Sequence, residues 1–235
     1  MLRTHLQELS IIHKLISKKE ALKEEYQKDR YNAAAVTLSK KLARRNFLPV
    51  ICQSLAEAKE KALVWIEQDK TVGFGGSITV EAMGLIPDLY ARGQAMIDRE
   101  QAKTPEERYQ VMRRALTADY FLTSINGISE DGELVNVDSV GNRVAALTFG
   151  PDKVFAFVSM QKVYGNLETT LAMVRRQTAP ANAWRLNLRQ TPCIKKGTCG
   201  DCLQPECICN TIAITRRSMV KDRIVIFLIM EDVGL

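Results

Sequence analysis

Histidine is nearly absent. The chain has two, His5 and His13, and none follows residue 13. No Ser–His–Asp or Cys–His catalytic arrangement can therefore be built. Both lie in an N-terminal helical stretch, far in sequence from any other candidate ligand, and read as surface residues. Aromatics make up 6% of the chain. They do not alternate with basic residues in the stripe that single-strand binders use, which argues against nucleic acid. No long apolar run is present either. IVIFLIM, residues 224–230, is too short to span a bilayer and reads as a buried strand, so no membrane role is expected. The N-terminus, MLRTHLQELSIIHKLISKKEALKEEYQ, is charged throughout and lacks the apolar core of a secretory signal. A cytoplasmic location is the resulting expectation.

With 235 residues, 46% of them hydrophobic, the chain can bury one sizeable core. The pattern divides it into an N-terminal helical extension, 1–45, and an α/β domain, 46–235. In the extension Leu2, Leu6, Leu9, Ile12 and Ile16 recur at helical spacing. A charged stretch from Lys18 to Arg30 follows, then Ala33, Val36, Leu38 and Leu42, which suggests two helical pieces. That extension would pack on the body or on a second copy of the chain. The formal charge of +6 is spread along the chain, which suits small anionic ligands or acidic partners.

From residue 47 strands and helices alternate. Strands are expected at 47–52, 71–75, 118–125, 130–137, 153–159, 211–215 and 223–229. Ser54 with Glu57, and Thr104 followed by Pro105 and Glu107, mark helix starts, and Asn166 a third. Gly84 marks a stop. Trp65 falls on an apolar helix face and reads as core. Several strands are apolar without interruption. This pattern predicts an α/β fold, a mostly parallel sheet with helices on both faces. Ligands in such sheets bind beyond the C-terminal strand ends.

Two glycine-rich turns fall at such ends. VGFGGSIT, 72–79, runs from strand through Gly73, Gly75 and Gly76 to Ser77 and Thr79 at a helix start. Backbone N–H groups and two hydroxyls there can hold a phosphate or carboxylate. It is neither a P-loop nor the full dinucleotide fingerprint, and a tight turn is the plain alternative. The second turn, TSINGISEDGELVNVDSVGNRVA, 123–145, crowds Asn126, Asn136, Asp138 and Asn142 into a polar excursion. These side chains either touch a ligand or satisfy their own turns.

The remaining signal is cysteine. Cys193, Cys199, Cys202, Cys207 and Cys209 lie within seventeen residues, and only Cys52 is elsewhere. The two-residue gap between Cys199 and Cys202 is common at zinc and iron–sulfur sites. Four thiolates would close a zinc site or hold an iron–sulfur cluster. Reactive thiols, a disulfide, or no joint role are the other readings. Trp184 and Arg185 are expected beneath this loop, and Arg175 with Arg176 at a solvated helix end.

The stretch LTSINGISEDGELVNVDSVGNRVAALTFGPDKVFAFV, 122–158, with GFGGSIT, 74–80, and IVIFLIMEDVGL, 224–235, resembles the lactate-utilisation, or LUD domain, family. The resemblance implies a fold like that of the sugar-phosphate isomerase and CoA-transferase superfamily. In that group the glycine turn binds phosphate or the acyl-CoA region, and the DG-x-LVN segment, here 131–136, sits beside the ligand. Some members belong to a multi-protein system that oxidises lactate to pyruvate, which implies a redox protein partner. Others have no assigned reaction. This chain lacks the paired ferredoxin-type cysteine runs of the larger members and resembles the small-subunit type. It has no evident counterpart of the CoA-transferase catalytic glutamate, with Glu81 and Glu130 the nearest candidates. Three roles follow: an accessory or redox-associated protein with an anion or nucleotide-like cleft, an isomerase or CoA-transferase-like enzyme, or a metal-stapled assembly protein.

Overall fold

In a computed structural model of the chain the backbone is described for residues 2–235, and side chains for 18, 19, 22, 23 and from 25 onward. Helix α1 (Leu2–Arg44) runs unbroken, where the charge pattern suggested two pieces. The reason is compositional. Residues 18–30 interrupt the apolar stripe, yet they are mostly Lys, Glu, Ala and Leu, all good helix formers, and no Gly or Pro occurs in the helix. His5 and His13 lie outside the described side chains. The last turns of α1 place Tyr31, Ala35, Leu38 and Leu42 in the main core. The last turns of the expected extension, 1–45, therefore pack on the body.

The body opens with β1 (Leu48–Cys52), α2 (Leu55–Trp65), β2 (Thr71–Phe74), α3 (Ile78–Met83), α4 (Leu85–Ala91) and β3 (Ala95–Ile97). Then come α5 (Pro105–Arg114), β4 (Tyr120–Thr123), β5 (Gly127–Ser129), β6 (Leu134–Asp138), α6 (Asn142–Thr148) and β7 (Lys153–Ser159). The chain ends with β8 (Val163–Tyr164), α7 (Leu167–Met173), α8 (Ala179–Arg185), α9 (Pro192–Lys196), β9 (Thr211–Thr215) and β10 (Ile224–Ile229). A π-helical turn, Val174–Thr178, joins α7 to α8.

Six strands form an all-parallel sheet in the order β1-β10-β7-β4-β2-β3. Its central strands are buried on both faces, so alternate residues serve two cores. Ile224, Ile226 and Leu228 of β10 join Val154, Ala156 and Val158 of β7 on the α1 side. Val225, Phe227 and Ile229 join Phe155 and Phe157 on the side covered by α2, α3 and α4. That double burial explains the uninterrupted apolar runs. Phe227 is stacked on Phe157 at 4.7 Å and lies 5.3 Å from Phe155. Trp65 covers Phe155 and Phe227 from the end of α2, but it is 39% exposed and roofs this core rather than lying within it.

The helix starts behave as their sequences suggest. Ser54 Oγ accepts from Glu57 N at 3.1 Å, and Glu57 Oε2 accepts from Gln53 N at 2.6 Å. Thr104, Glu107 and Lys103 repeat the arrangement on α5. Gly84, at φ 66°, ends α3 in the left-handed region that favours glycine.

A second, four-stranded sheet, β8-β5-β6-β9, lies outside the main one. Residues 211–215 pair antiparallel with β6 there and take no part in the parallel sheet. Strand β5 was hidden in the Asn126–Gly127 turn, and α4 and β3 were likewise not foreseen. Among the described residues no helix is long and apolar enough to cross a membrane. Phe227→Ala should cost about 3–5 kcal/mol in urea unfolding, because Trp65, Phe155 and Phe157 lose a shared neighbour; a loss below about 1 kcal/mol would contradict this packing.

Candidate functional site

The C-terminal ends of β2, β4 and β7 open on one side of the parallel sheet, and the chain after β10 ends there too. A cavity of about 210 Å³ lies between them and the second sheet. Gly76, Ser77 and Thr79 reach it from β2, and Ser124 and Asn126 from β4. Lys162 follows β7, and Gly234 and Leu235 follow β10. Asp138 and Asn142 close it from the second turn, and Thr178, Asn182, Arg185 and Ile208 from the far wall.

Six of the nine residues singled out in the two turns therefore meet: Gly76, Ser77, Thr79, Asn126, Asp138 and Asn142. The other three lie off the cavity. A Cβ on Gly73 would stand 3.0 Å from Ala115 Cβ, so this glycine is needed for close packing under β2. Gly75 rests against Arg143 and Phe121 with ordinary room for a methyl group. Asn136 is 1% exposed, and among the described residues neither of its amide atoms has a partner.

Gly76 has a direct role. A Cβ there would stand 2.9 Å from Arg99 Nη2, so the bare glycine lets this guanidinium lie over the turn. Ser77 Oγ accepts from Val80 N at 3.3 Å and starts α3. That helix is only six residues long, so its dipole adds little and charged side chains must supply the attraction.

Those side chains were the part missed from sequence. Arg143 is pinned. Its Nη2 donates to Asn126 Oδ1 at 2.8 Å and to Val137 O at 2.6 Å. Asn126 Oδ1 also accepts from Val137 N at 3.0 Å, so one amide fixes both the strand end and the arginine. Asp138 Oδ2 accepts from Val144 N at 3.0 Å and lies 4.0 Å from Arg143 Nε. Gly141, at φ 82°, makes the bend between Asp138 and α6. Arg223 then donates to Ala146 O and Leu147 O, holding the far end of α6.

Lys162 is different. It is 5% exposed, and its ammonium donates to Ser124 Oγ at 3.4 Å. Among the described residues no carboxylate pairs with it. Burial, and then the positive charge of Arg143, pull its ammonium down to about 8 from the ordinary 10.5. Thr79 Oγ1 is buried beside it without a partner. A side chain at Gly234 would strike Thr79 Oγ1 and Lys162 Nζ together, which places the two polar groups around one point. The available clue was position: a lone lysine three residues after a largely apolar strand, at the edge where ligands bind.

A family model described as "LUD domain" matches residues 36–229. The chain belongs to the LUD domain family. A crystal structure of a DUF162 family protein from Deinococcus radiodurans is similar, with a TM-score of 0.48 and 13% identity over 85% of this chain and 97% of that one. Among curated proteins no relative matches. Within this LUD domain, Asp131 of the DG-x-LVN segment pairs with Lys41 at 2.9 Å on the α1 side. Only the end of that strand, at Val137 and Asp138, reaches the cavity.

The five clustered cysteines line a second, smaller pocket on the other side of the far wall. None is in a disulfide. Among the described residues no three Cys, His, Asp or Glu side chains already converge as metal ligands. Burial, then the negative charges that Cys207, Cys199, Cys193 and Cys202 would carry, push the Cys209 thiol up to about 12. Trp184 is 61% exposed and lies apart from this pocket. Arg185 faces the first cavity instead. Arg175 donates to Cys199 Sγ at 3.8 Å and pairs with Asp201.

In the unfolded LUD domain Lys162 would keep its proton to about 10.5, but in the fold only to about 8. Between those values the unfolded chain binds more protons, so stability rises with pH; below them the buried charge costs in full. Lys162→Met should therefore stabilise the ligand-free protein at pH 7 by roughly 1–3 kcal/mol in urea unfolding, with the gain shrinking by pH 10. A destabilised Lys162→Met variant at pH 7 would contradict this placement.

Proposed function

We propose that this LUD domain protein is a lactate-utilisation-type accessory component whose cleft binds a small anionic ligand. The ligand would be a phosphorylated or nucleotide-like molecule, or a carboxylate. The observation that carries this reading is Lys162: a nearly buried cation that, among the described residues, pairs with no carboxylate and lies next to a Thr79 hydroxyl that has no partner. Burying an uncompensated charge is costly, and an anion seated between the two groups would remove the penalty. Arg99 and Arg143 add positive potential on the same side, and among the described residues Asp138 is the one acidic side chain that lines the cavity.

An isomerase or CoA-transferase-like role would need a free carboxylate in the cleft. Glu81 and Glu130 are both exposed and lie off the cavity. Such chemistry would fall to Asp138, whose Oδ2 already accepts from Val144 N. The binding reading is therefore preferred.

Calorimetry with inorganic phosphate, sugar phosphates, nucleotides, CoA, lactate and pyruvate tests it. At least one should bind, and Lys162→Met should weaken it about 10–100-fold through loss of a charge-assisted contact. Affinity should fall as pH rises above about 8, where Lys162 loses its proton. Uniform absence of binding, or binding indifferent to Lys162→Met, would overturn the reading.

A further inference from the structure

The five-cysteine loop has no part in the anion cleft, yet its construction asks for an occupant. Cys193 on α9 and Cys199, Cys202, Cys207 and Cys209 on the loop that follows come from separate turns and all line one pocket of about 90 Å³. The sixth cysteine, Cys52, lies apart in the core beneath α2. Simple packing would have filled such a space with side-chain carbon. A disulfide framework leaves one thiol of five over, and no S–S bond is present.

The sulfurs have donors aimed at them. Cys209 N donates to Cys207 Sγ at 3.4 Å, and the Arg175 guanidinium reaches Cys199 Sγ at 3.8 Å. Hydrogen bonds of this kind support thiolates that bind a metal. Cys193 differs in place: it lies on α9, whereas the other four lie on the loop that follows. Soft thiolates select zinc or iron over hard cations, and four of them suffice for a closed site.

The loop also shares a wall with the cleft. Ile208, between Cys207 and Cys209, lines both cavities. The π-helical turn presents Arg175 to the cysteines and Thr178 to the cleft. Drawing Cys207 and Cys209 onto one centre would fix Ile208 between them.

We propose that Cys199, Cys202, Cys207 and Cys209 form a thiolate metal site that braces the far wall of the cleft. Binding of a divalent metal ion displaces the thiol protons, which pass to solvent, with no change of oxidation state. Cys193 is the spare thiol.

The test uses the full chain, purified anaerobically, with zinc, iron and inorganic sulfide measured. Zinc, or iron with sulfide, at about one centre per chain supports the site and tells a single ion from a cluster. The chelated protein is then titrated with cobalt(II). Thiolate-to-cobalt charge-transfer bands should saturate near one equivalent, and zinc should protect about four thiols from alkylation in the wild-type protein. Cys202→Ser and Cys207→Ser should lose the bands, whereas Cys193→Ser and Cys52→Ser should keep them. Hydrogen exchange across residues 174–186 and 207–209 should slow at least ~10-fold on metal loading. That readout needs no anion, so it stands or falls apart from the cleft reading. A metal-free protein without charge-transfer bands, thiols recovered as disulfides, or metal uptake with unchanged exchange would overturn the proposal.

Discussion

A positive charge held away from water needs a partner, and the ammonium of Lys162 has none among the described residues. The parallel sheet creates that situation. β7 is buried on both faces, so the turn that follows it, Met160–Lys162, lies in the body of the protein rather than at its surface. The second sheet and α8 roof the space above it. Asn126 locks Arg143 alongside, and that arginine's positive charge further disfavours the lysine's proton. The neighbouring features follow from this arrangement: the unpartnered Thr79 hydroxyl, the glycine that lets Arg99 lie over the β2 turn, and the polar rim at Asp138 and Asn142. A protein selected for stability alone would have an apolar residue at position 162.

The architecture was largely legible in the chain. Uninterrupted apolar runs separated by capped helices fix a parallel sheet covered on both sides, and the cleft lies at the strand ends where that topology puts it. Ser54, Thr104 and Asn166 were readable as caps because their partners lie within a few residues. The elements missed were short or hidden. β3 has three residues, β5 lies inside a turn motif, and 211–215 carries an ordinary strand pattern that gives no hint of which sheet it joins.

The site was half legible. Glycines, hydroxyls and amides drew attention because they cluster in sequence, and Gly76, Ser77, Thr79, Asn126, Asp138 and Asn142 do gather. Gly73 belongs to packing, Gly75 lies against Arg143, and Asn136 is buried off the cavity, distinctions that depend on which way a strand faces. The cations were not visible as a group. Arg99, Arg143 and Lys162 are far apart along the chain and each looks like an ordinary surface charge. Only the fold shows that three separate strand–helix junctions converge. The cysteines are the opposite case: plain in sequence, and in the fold set around a pocket that shares Ile208 with the cleft.

The cleft's chemistry turns on the state of one amine, and a heteronuclear NMR titration of the Lys162 side chain, with and without phosphate, measures it directly. The free protein should show an apparent pKa near 8, rising towards or beyond the ordinary 10.5 as phosphate saturates the cleft. A free-state value already near 10.5, or one that phosphate leaves in place, would mean that Lys162 is solvated or internally paired and that the cleft is not built around it.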